Sequence, residues 1–219
     1  MAEVYKFKVK LNEFEDYLWR DIEITSVSSI AKLSYAVLAV FDAKATHLFC
    51  IESNENHYEF MFDGFEDFGD VISINPAEIK LSQLKLKIGD CLTMDYDYGA
   101  GWRFNIELLS VTEMKKGTGT HYPYITDGAG RGIIEDIGPG TLAEYIDQTN
   151  TTNVLPTYYD FELGREIEWD YRKFDLKSWN VLYKSAIEKF KKLTRILMID
   201  ISVNCIETIK SIGNRLIVS

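Results

Sequence analysis

The chain of 219 residues carries a net charge of −10 at pH 7 and has a sequence pI near 4.9. This acidic balance argues against a protein that wraps nucleic acid or an anionic membrane along its whole length. A hydrophobic content of 46% is ordinary for a soluble globular protein, so we expect folding to need neither a metal nor a disulfide. Three distant cysteines, no secretory signal and no bilayer-spanning segment are typical of a cytoplasmic protein.

The first half of the chain mixes strand and helix patterns. Residues 5–11 alternate apolar side chains with lysines, which predicts a half-buried strand, and a second strand is expected at residues 18–24. Ser29 is a suitable N-cap for a helix whose apolar residues recur at helical spacing from Ile30 to Val40. Further strands are predicted at residues 46–52 and 57–62, followed by an acidic, solvated loop at 63–70.

Residues 90–109 predict the central β-hairpin. A three-residue Gly-Ala-Gly turn at 99–101 would place Tyr98 opposite Trp102 on the buried face. The outer face would then set Asp97 against Arg103, as a cross-strand charge pair. Two interpretations stay open, because Asp95 and Asp97 on one face are also able to hold a cation or a proton.

A glycine-rich loop precedes the adjacent acidic residues Glu135 and Asp136. The segment Gly128-Ala-Gly-Arg-Gly132 lacks a P-loop ending, so its glycines are expected to permit tight turns or close backbone approach. In extended backbone, neighbouring side chains point to opposite sides. We therefore expect only one of the pair to join Asp95 and Asp97. The other should cap the short helix predicted at 141–147 or accept hydrogen bonds from backbone amides of the same loop.

The C-terminal part is basic where the rest is acidic. Residues 172–195 contain eight basic and two acidic side chains, and Trp179, Tyr183 and Phe190 recur at helical spacing. An amphipathic helix is predicted, which either packs on the acidic domain or contacts nucleic acid or a partner. We expect residues 1–155 to form one domain and 156–219 an appendage, after a polar connection at 148–153, with a strand at 199–203 and a helix at 206–212.

The order of several short motifs resembles the Ri-plasmid open-reading-frame-three-like family, whose members occur in plasmids and insertion elements. The motifs are Leu18-Trp-Arg20, Thr46-His-Leu48, Tyr96-Asp-Tyr-Gly-x-x-Trp102, Tyr122-Pro123, Asp127-Gly128 and Glu135-Asp136-x-Gly138. The resemblance implies an α+β domain with a mostly antiparallel sheet and flanking helices. The family's usual Tyr-Asp-Phe-Gly-Asp-x-Trp-x-His motif has Ala100 and Phe104 here in place of its second acid and its histidine.

That departure favours binding over catalysis. We expect an uncharacterised mobile-element protein that acts as a non-enzymatic binding or interaction module, with no cofactor, no metal and no catalytic residues assigned. Its expected binding residues are His47, Asp97, Trp102, Glu135 and Asp136. The alternatives are a metal-dependent phosphoester hydrolase using Asp95, Asp97, Glu135 and Asp136, and a weak nucleic-acid binder using the basic helix. The first hypothesis is compatible with a protein partner or with self-association through the C-terminal appendage. We do not expect the protein to bind a membrane.

Overall fold

The structure is a computed structural model that describes residues 2–60, 72–161, 163–181 and 183–193. Eight of its strands form one sheet in the order β5-β4-β3-β6-β7-β1-β2-β8, and only β4 and β5 pair in parallel. The remaining two strands, β9 and β10, pair with each other. The strands are β1 Glu3–Leu11, β2 Trp19–Thr25, β3 Phe49–Ser53, β4 Asn56–Glu59, β5 Ser73–Ile74, β6 Cys91–Tyr96, β7 Trp102–Glu113, β8 Tyr124–Ala129, β9 Thr157–Asp160 and β10 Arg165–Glu168. The predicted α+β fold with a mostly antiparallel sheet is confirmed.

The main helix, α1 (Ile30–Val40), supplies much of the core. Every residue of α1 except Lys32 is buried, and the predicted cap is present because the Ser29 hydroxyl accepts a hydrogen bond from the Lys32 amide at 3.2 Å. Two short 3₁₀ segments occur at Leu81–Leu84 and Gly119–His121. In the described part of the chain, no helix is long and apolar enough to cross a membrane.

The second helix, α2 (Pro139–Thr152), is longer than the sequence predicted. The expected connection at residues 148–153 is mostly its last turns. Thr149, Thr151 and Thr152 each donate a hydroxyl hydrogen bond to the carbonyl four residues earlier. Burial of Thr149 beside Ile146 extends the helix through a segment whose polar composition predicts a loop.

The central hairpin has the predicted buried face but a different register. Tyr96, not Tyr98, lies opposite Trp102, so the turn has five residues rather than three. The pairing register differs from the prediction by two residues. Because side chains alternate with a period of two, the same set of residues still points into the core. Tyr98 is consequently 52% exposed, against expectation. The predicted Asp97–Arg103 pair is also wrong, because Asp95 forms the ion pair with Arg103, at 2.6 Å and 2.8 Å.

The basic C-terminal helix packs on the sheet domain through its apolar face. Among the residues that the structure describes, this helix, α3, covers 176–181 and 183–193. The Asp175 carboxylate accepts hydrogen bonds from two amides of the first turn. Tyr183, Ile187 and Phe190 are buried in the hydrophobic core. The predicted elements at 63–70, 199–203 and 206–212 lie outside the described residues.

Arg20 is a fully buried cation that joins β2, β8 and the end of α1. Its guanidinium lies 4.8 Å from the ring centre of Phe41 and 4.3 Å from that of Phe174. It donates to the backbone carbonyls of Trp19, Val40, Ala129 and Gly130. Burial lowers the pKa of Arg20 to about 10, although the nearby Asp42 opposes that shift. The side chain therefore fixes the ends of α1 and β8, where the loops to β3 and to α2 begin.

Candidate functional site

Three loops meet beyond the end of the central hairpin. They are the loop from α1 to β3, the turn after β6 and the loop from β8 to α2. Gly132 permits the closest approach between them, because a Cβ atom there would lie 2.1 Å from the carbonyl carbon and oxygen of Phe41. The backbone amide of Ile133 donates to the Phe41 carbonyl at 2.8 Å, and that of Gly132 donates to the Asp42 carboxylate at 3.2 Å. The expected role of this glycine in close backbone approach is confirmed.

Glu135 is held in place by donors from two of these segments. Its carboxylate accepts hydrogen bonds from the Lys44 amide at 2.9 Å, the Thr46 hydroxyl at 3.2 Å and the Tyr96 hydroxyl. Burial, reinforced by the bond to Glu135 and by its charge, raises the pKa of Tyr96 far above its usual value. The phenol thus remains a donor at neutral pH, and Glu135 has a fixed position and orientation.

The other two carboxylates reach the same place through left-handed backbone. Asp97 has φ of 52°, and one of its carboxylate oxygens accepts from the amides of Gly99 and Ala100, each at 3.2 Å. Aspartate tolerates this backbone region and stabilises turns through such bonds. Asp136 has φ of 66°, so it and Glu135 do not follow the opposite-side rule of extended strands. Its side chain is 71% exposed.

The His47 imidazole is the point that these carboxylates share. Its Nε2 atom lies 3.6 Å from Asp97 Oδ2, 3.8 Å from Glu135 Oε1 and 3.7 Å from Asp136 Oδ1. The ring also packs edge-on against Tyr96, with centroids 6.0 Å apart. We call His47, Asp97, Glu135 and Asp136 the His47 cluster.

Four of the five expected binding residues therefore lie together, and the fifth does not share their surface. Trp102 is 1% exposed and belongs to the core beneath the hairpin. Three details of the expectation are wrong. Both Glu135 and Asp136 join the cluster, and neither caps α2, whose N-cap is Gly138 with no side-chain hydrogen bond. Asp95 lies apart from the cluster with both of its oxygens bonded to Arg103.

The three carboxylates face one imidazole nitrogen, at 3.6–3.8 Å. Among residues 2–60, 72–161, 163–181 and 183–193, no group of three or more His, Cys, Asp and Glu side chains is arranged to hold a metal ion. The arrangement instead presents fixed acceptors and one exposed carboxylate to whatever approaches the surface.

A cleft of about 570 Å³ adjoins the His47 cluster, sharing Glu135 and Asp136 with it. Its walls come from the α1–β3 loop, the β8–α2 loop, α2 and the hairpin of β9 and β10. They include Asp42, Lys44, Arg131, Tyr145, Tyr158, Tyr159, Asp160, Phe161, Glu166 and Trp169. The β9–β10 hairpin was not predicted, because its only signal in the sequence is a pair of short segments on either side of Gly164.

Asp42 is a half-buried carboxyl in the lining of the cleft. Its removal from water raises its pKa, and the positive charge of Arg131, whose Nε lies 4.0 Å away, opposes that rise. The Arg131 side chain also donates to the carbonyl of Glu168 at 3.2 Å. Arg131 is therefore already engaged by contacts within the protein.

Comparison with known proteins identifies a family but no activity. A sequence model of the family described as plasmid pRiA4b ORF-3-like protein matches residues 3–181. The crystal structure of a protein of unknown function from Methanosarcina mazei Go1 is similar in fold, with a TM-score of 0.64 and 21% sequence identity. The alignment covers 81% of this chain and 96% of that one. No curated protein matches the sequence significantly.

Proposed function

The chain belongs to the family of plasmid pRiA4b ORF-3-like proteins, and we propose that it is a non-enzymatic binding module associated with mobile elements. The observation that carries this proposal is the convergence of three carboxylates from two loops on His47 Nε2, at 3.6–3.8 Å, beside a cleft of about 570 Å³. Clefts of this size accommodate small ligands or single side chains of a partner.

The hydrogen bonds within the cluster favour binding over hydrolysis. Glu135 accepts three hydrogen bonds from the protein, and Asp97 accepts two from backbone amides. A hydrolase that used Asp95 together with these carboxylates would have to release Asp95 from Arg103, which binds both of its oxygens. Preorganised acceptors are instead well suited to recognition, because little conformational freedom is lost on binding.

Protein-observed NMR on the isotopically labelled full chain tests the proposal. Three probes of similar shape and different charge are titrated separately: benzamidine, benzamide and benzoate. We expect at least one of them to shift the amides of residues 133–137 and the His47 imidazole, and Asp136→Asn to weaken that response. The variant Glu113→Gln, which removes a negative charge outside the cleft lining, should leave it unchanged. If no probe perturbs these resonances, the binding proposal fails.

The hydrolase alternative has its own readout. Millimolar Mg²⁺ or Mn²⁺ should raise the melting temperature by less than about 1 °C, because a ligand stabilises only the state it binds. Hydrolysis of bis(p-nitrophenyl) phosphate should stay at the uncatalysed rate. A large metal-induced shift, together with hydrolysis that Asp97→Asn abolishes, would replace binding with catalysis.

A further inference from the structure

Aromatic side chains form much of the cleft wall. Tyr145, Tyr158 and Trp169 line it, and Tyr145 and Trp169 pack with ring centroids 6.3 Å apart. Tyr159 and Phe161 lie at the rim in an edge-to-face pair with centroids 5.0 Å apart. The faces of aromatic rings carry partial negative charge, so they attract cations that lie over them.

The charged residues of the cleft favour the same kind of occupant. Five carboxylate side chains line it against two basic ones, a formal balance of −3. Arg131 is already paired with Asp42 and donates to a backbone carbonyl. Asp136 and Glu166 are both exposed in the cleft lining. An anion placed in the cleft would be repelled, whereas a guanidinium or ammonium group would meet both carboxylates and ring faces.

The rim extends beyond the cleft as an exposed apolar surface. Phe161 is 83% exposed, Leu163 is 59% exposed and Tyr159 is 47% exposed, all on the hairpin of β9 and β10. In the described part of the chain, this hairpin pairs with no third strand, so its edges keep backbone groups that no strand pairs, although the carbonyls of Thr157 and Glu168 accept from Tyr145 and Arg131. A small amine in the cleft would leave this surface in water, but an extended polypeptide would cover it.

Resting on the binding function proposed above, we infer that the cleft receives an arginine or lysine side chain of a partner protein, presented by an extended segment that packs against Phe161 and Leu163. The basic group lies between the carboxylates of Asp136 and Glu166 and the aromatic wall. The segment lies along the β9–β10 hairpin, where an added strand is a common mode of peptide recognition.

Isothermal titration calorimetry with the full chain tests the inference. The probe is acetyl-Ser-Leu-Arg-Leu-Ser-amide, and its control carries citrulline, which is neutral and nearly isosteric, in place of arginine. We expect the arginine peptide to bind at least about tenfold more tightly than the citrulline peptide, and the difference to shrink in 0.5 M salt as the charges are screened. The double variant Asp136→Asn/Glu166→Gln should abolish most of the preference. Its control, Glu107→Gln/Glu113→Gln, makes the same charge change outside the cleft lining and should retain it.

A rim variant separates a peptide from a free small amine. Phe161→Ser should weaken the peptide by at least about threefold and leave N-acetylarginine amide unaffected, because only the peptide extends over the rim. Ile88→Ser removes another exposed side chain, 66% exposed and outside the cleft lining, and should change neither affinity. Equal affinities for the arginine and citrulline peptides, or no effect of the acidic double variant, would overturn the inference. If any of the three probes nevertheless shifts the cleft resonances, the binding function survives that failure. If no probe shifts them, both proposals fail.

Discussion

Replacing Gly132 with alanine should destabilise the protein and disperse the His47 cluster. The new Cβ would lie 2.1 Å from the Phe41 carbonyl carbon and oxygen and 2.7 Å from the Asp42 amide nitrogen. Ordinary contacts of a Cβ are 3.4–4 Å, so the two backbones must separate by more than an ångström. Neither side of the clash is a flexible side-chain end, and the strain cannot be relieved by a rotamer change.

The cost of Gly132→Ala can be estimated from these contacts. Overpacking in a close-packed site costs about 1–3 kcal/mol. The same separation breaks the hydrogen bonds from Ile133 to Phe41 and from Gly132 to Asp42, each worth about 0.5–1.5 kcal/mol. We therefore expect the free energy of unfolding to fall by about 2–6 kcal/mol.

Urea denaturation followed by circular dichroism measures this change, and NMR of the His47 imidazole reports whether the cluster persists. Gly140→Ala is the matched control, because no atom lies within 4 Å of its added Cβ and the residue is inside α2. Alanine in a helix should stabilise by about 0.5–1 kcal/mol relative to glycine. A loss below 1 kcal/mol for Gly132→Ala, with an unchanged His47 resonance, would refute the close-approach account.

Three further variants test separate parts of the structure. Tyr96→Phe should lower the free energy of unfolding by about 1 kcal/mol at pH 7, because Glu135 loses a donor. The pKa of Tyr96 is raised in the folded state, so its stabilising contribution is complete below about pH 10 and is lost as pH rises above that value. In urea titrations from pH 8 to 11, the free energy of unfolding should therefore fall less steeply with pH in the variant than in the parent protein. An equal fall in both would contradict this. Arg20→Lys should cost about 2–4 kcal/mol in urea denaturation, since one ammonium cannot replace bonds to four separate carbonyls; a cost below 1 kcal/mol would count against the buried clamp. Asp95→Asn should cost only about 0.5 kcal/mol, as expected for an exposed ion pair, and should leave the His47 resonance unchanged; a shift of that resonance would place Asp95 in the cluster.

Side-chain alternation and capping chemistry made much of the fold predictable. Alternate apolar residues identified β1, β6 and β7 and their buried faces, and Ser29 marked the start of α1. The hairpin turn was not predictable from alternation alone. Its length depends on the left-handed φ of 52° at Asp97. This conformation is stabilised by the hydrogen bonds that the Asp97 carboxylate accepts from the backbone amides of Gly99 and Ala100.

The candidate site combines a predictable residue set with an unpredictable geometry. The resemblance pointed to His47, Asp97, Glu135 and Asp136, but their distances depend on contacts between segments separated by tens of residues. The expectation that Glu135 and Asp136 diverge assumed extended backbone, and the φ of 66° at Asp136 removes that assumption. The cleft needs the β9–β10 hairpin as its outer wall, and those short strands carry a weak alternation signal.

A crystal structure of the full chain with the arginine peptide tests the central claim most directly. The account predicts a guanidinium group within about 4 Å of the Asp136 carboxylate, against the aromatic wall, with the peptide backbone along the β9–β10 hairpin beside Phe161. A peptide bound instead on the α3 surface or elsewhere, with the cleft beside the His47 cluster empty, would contradict it.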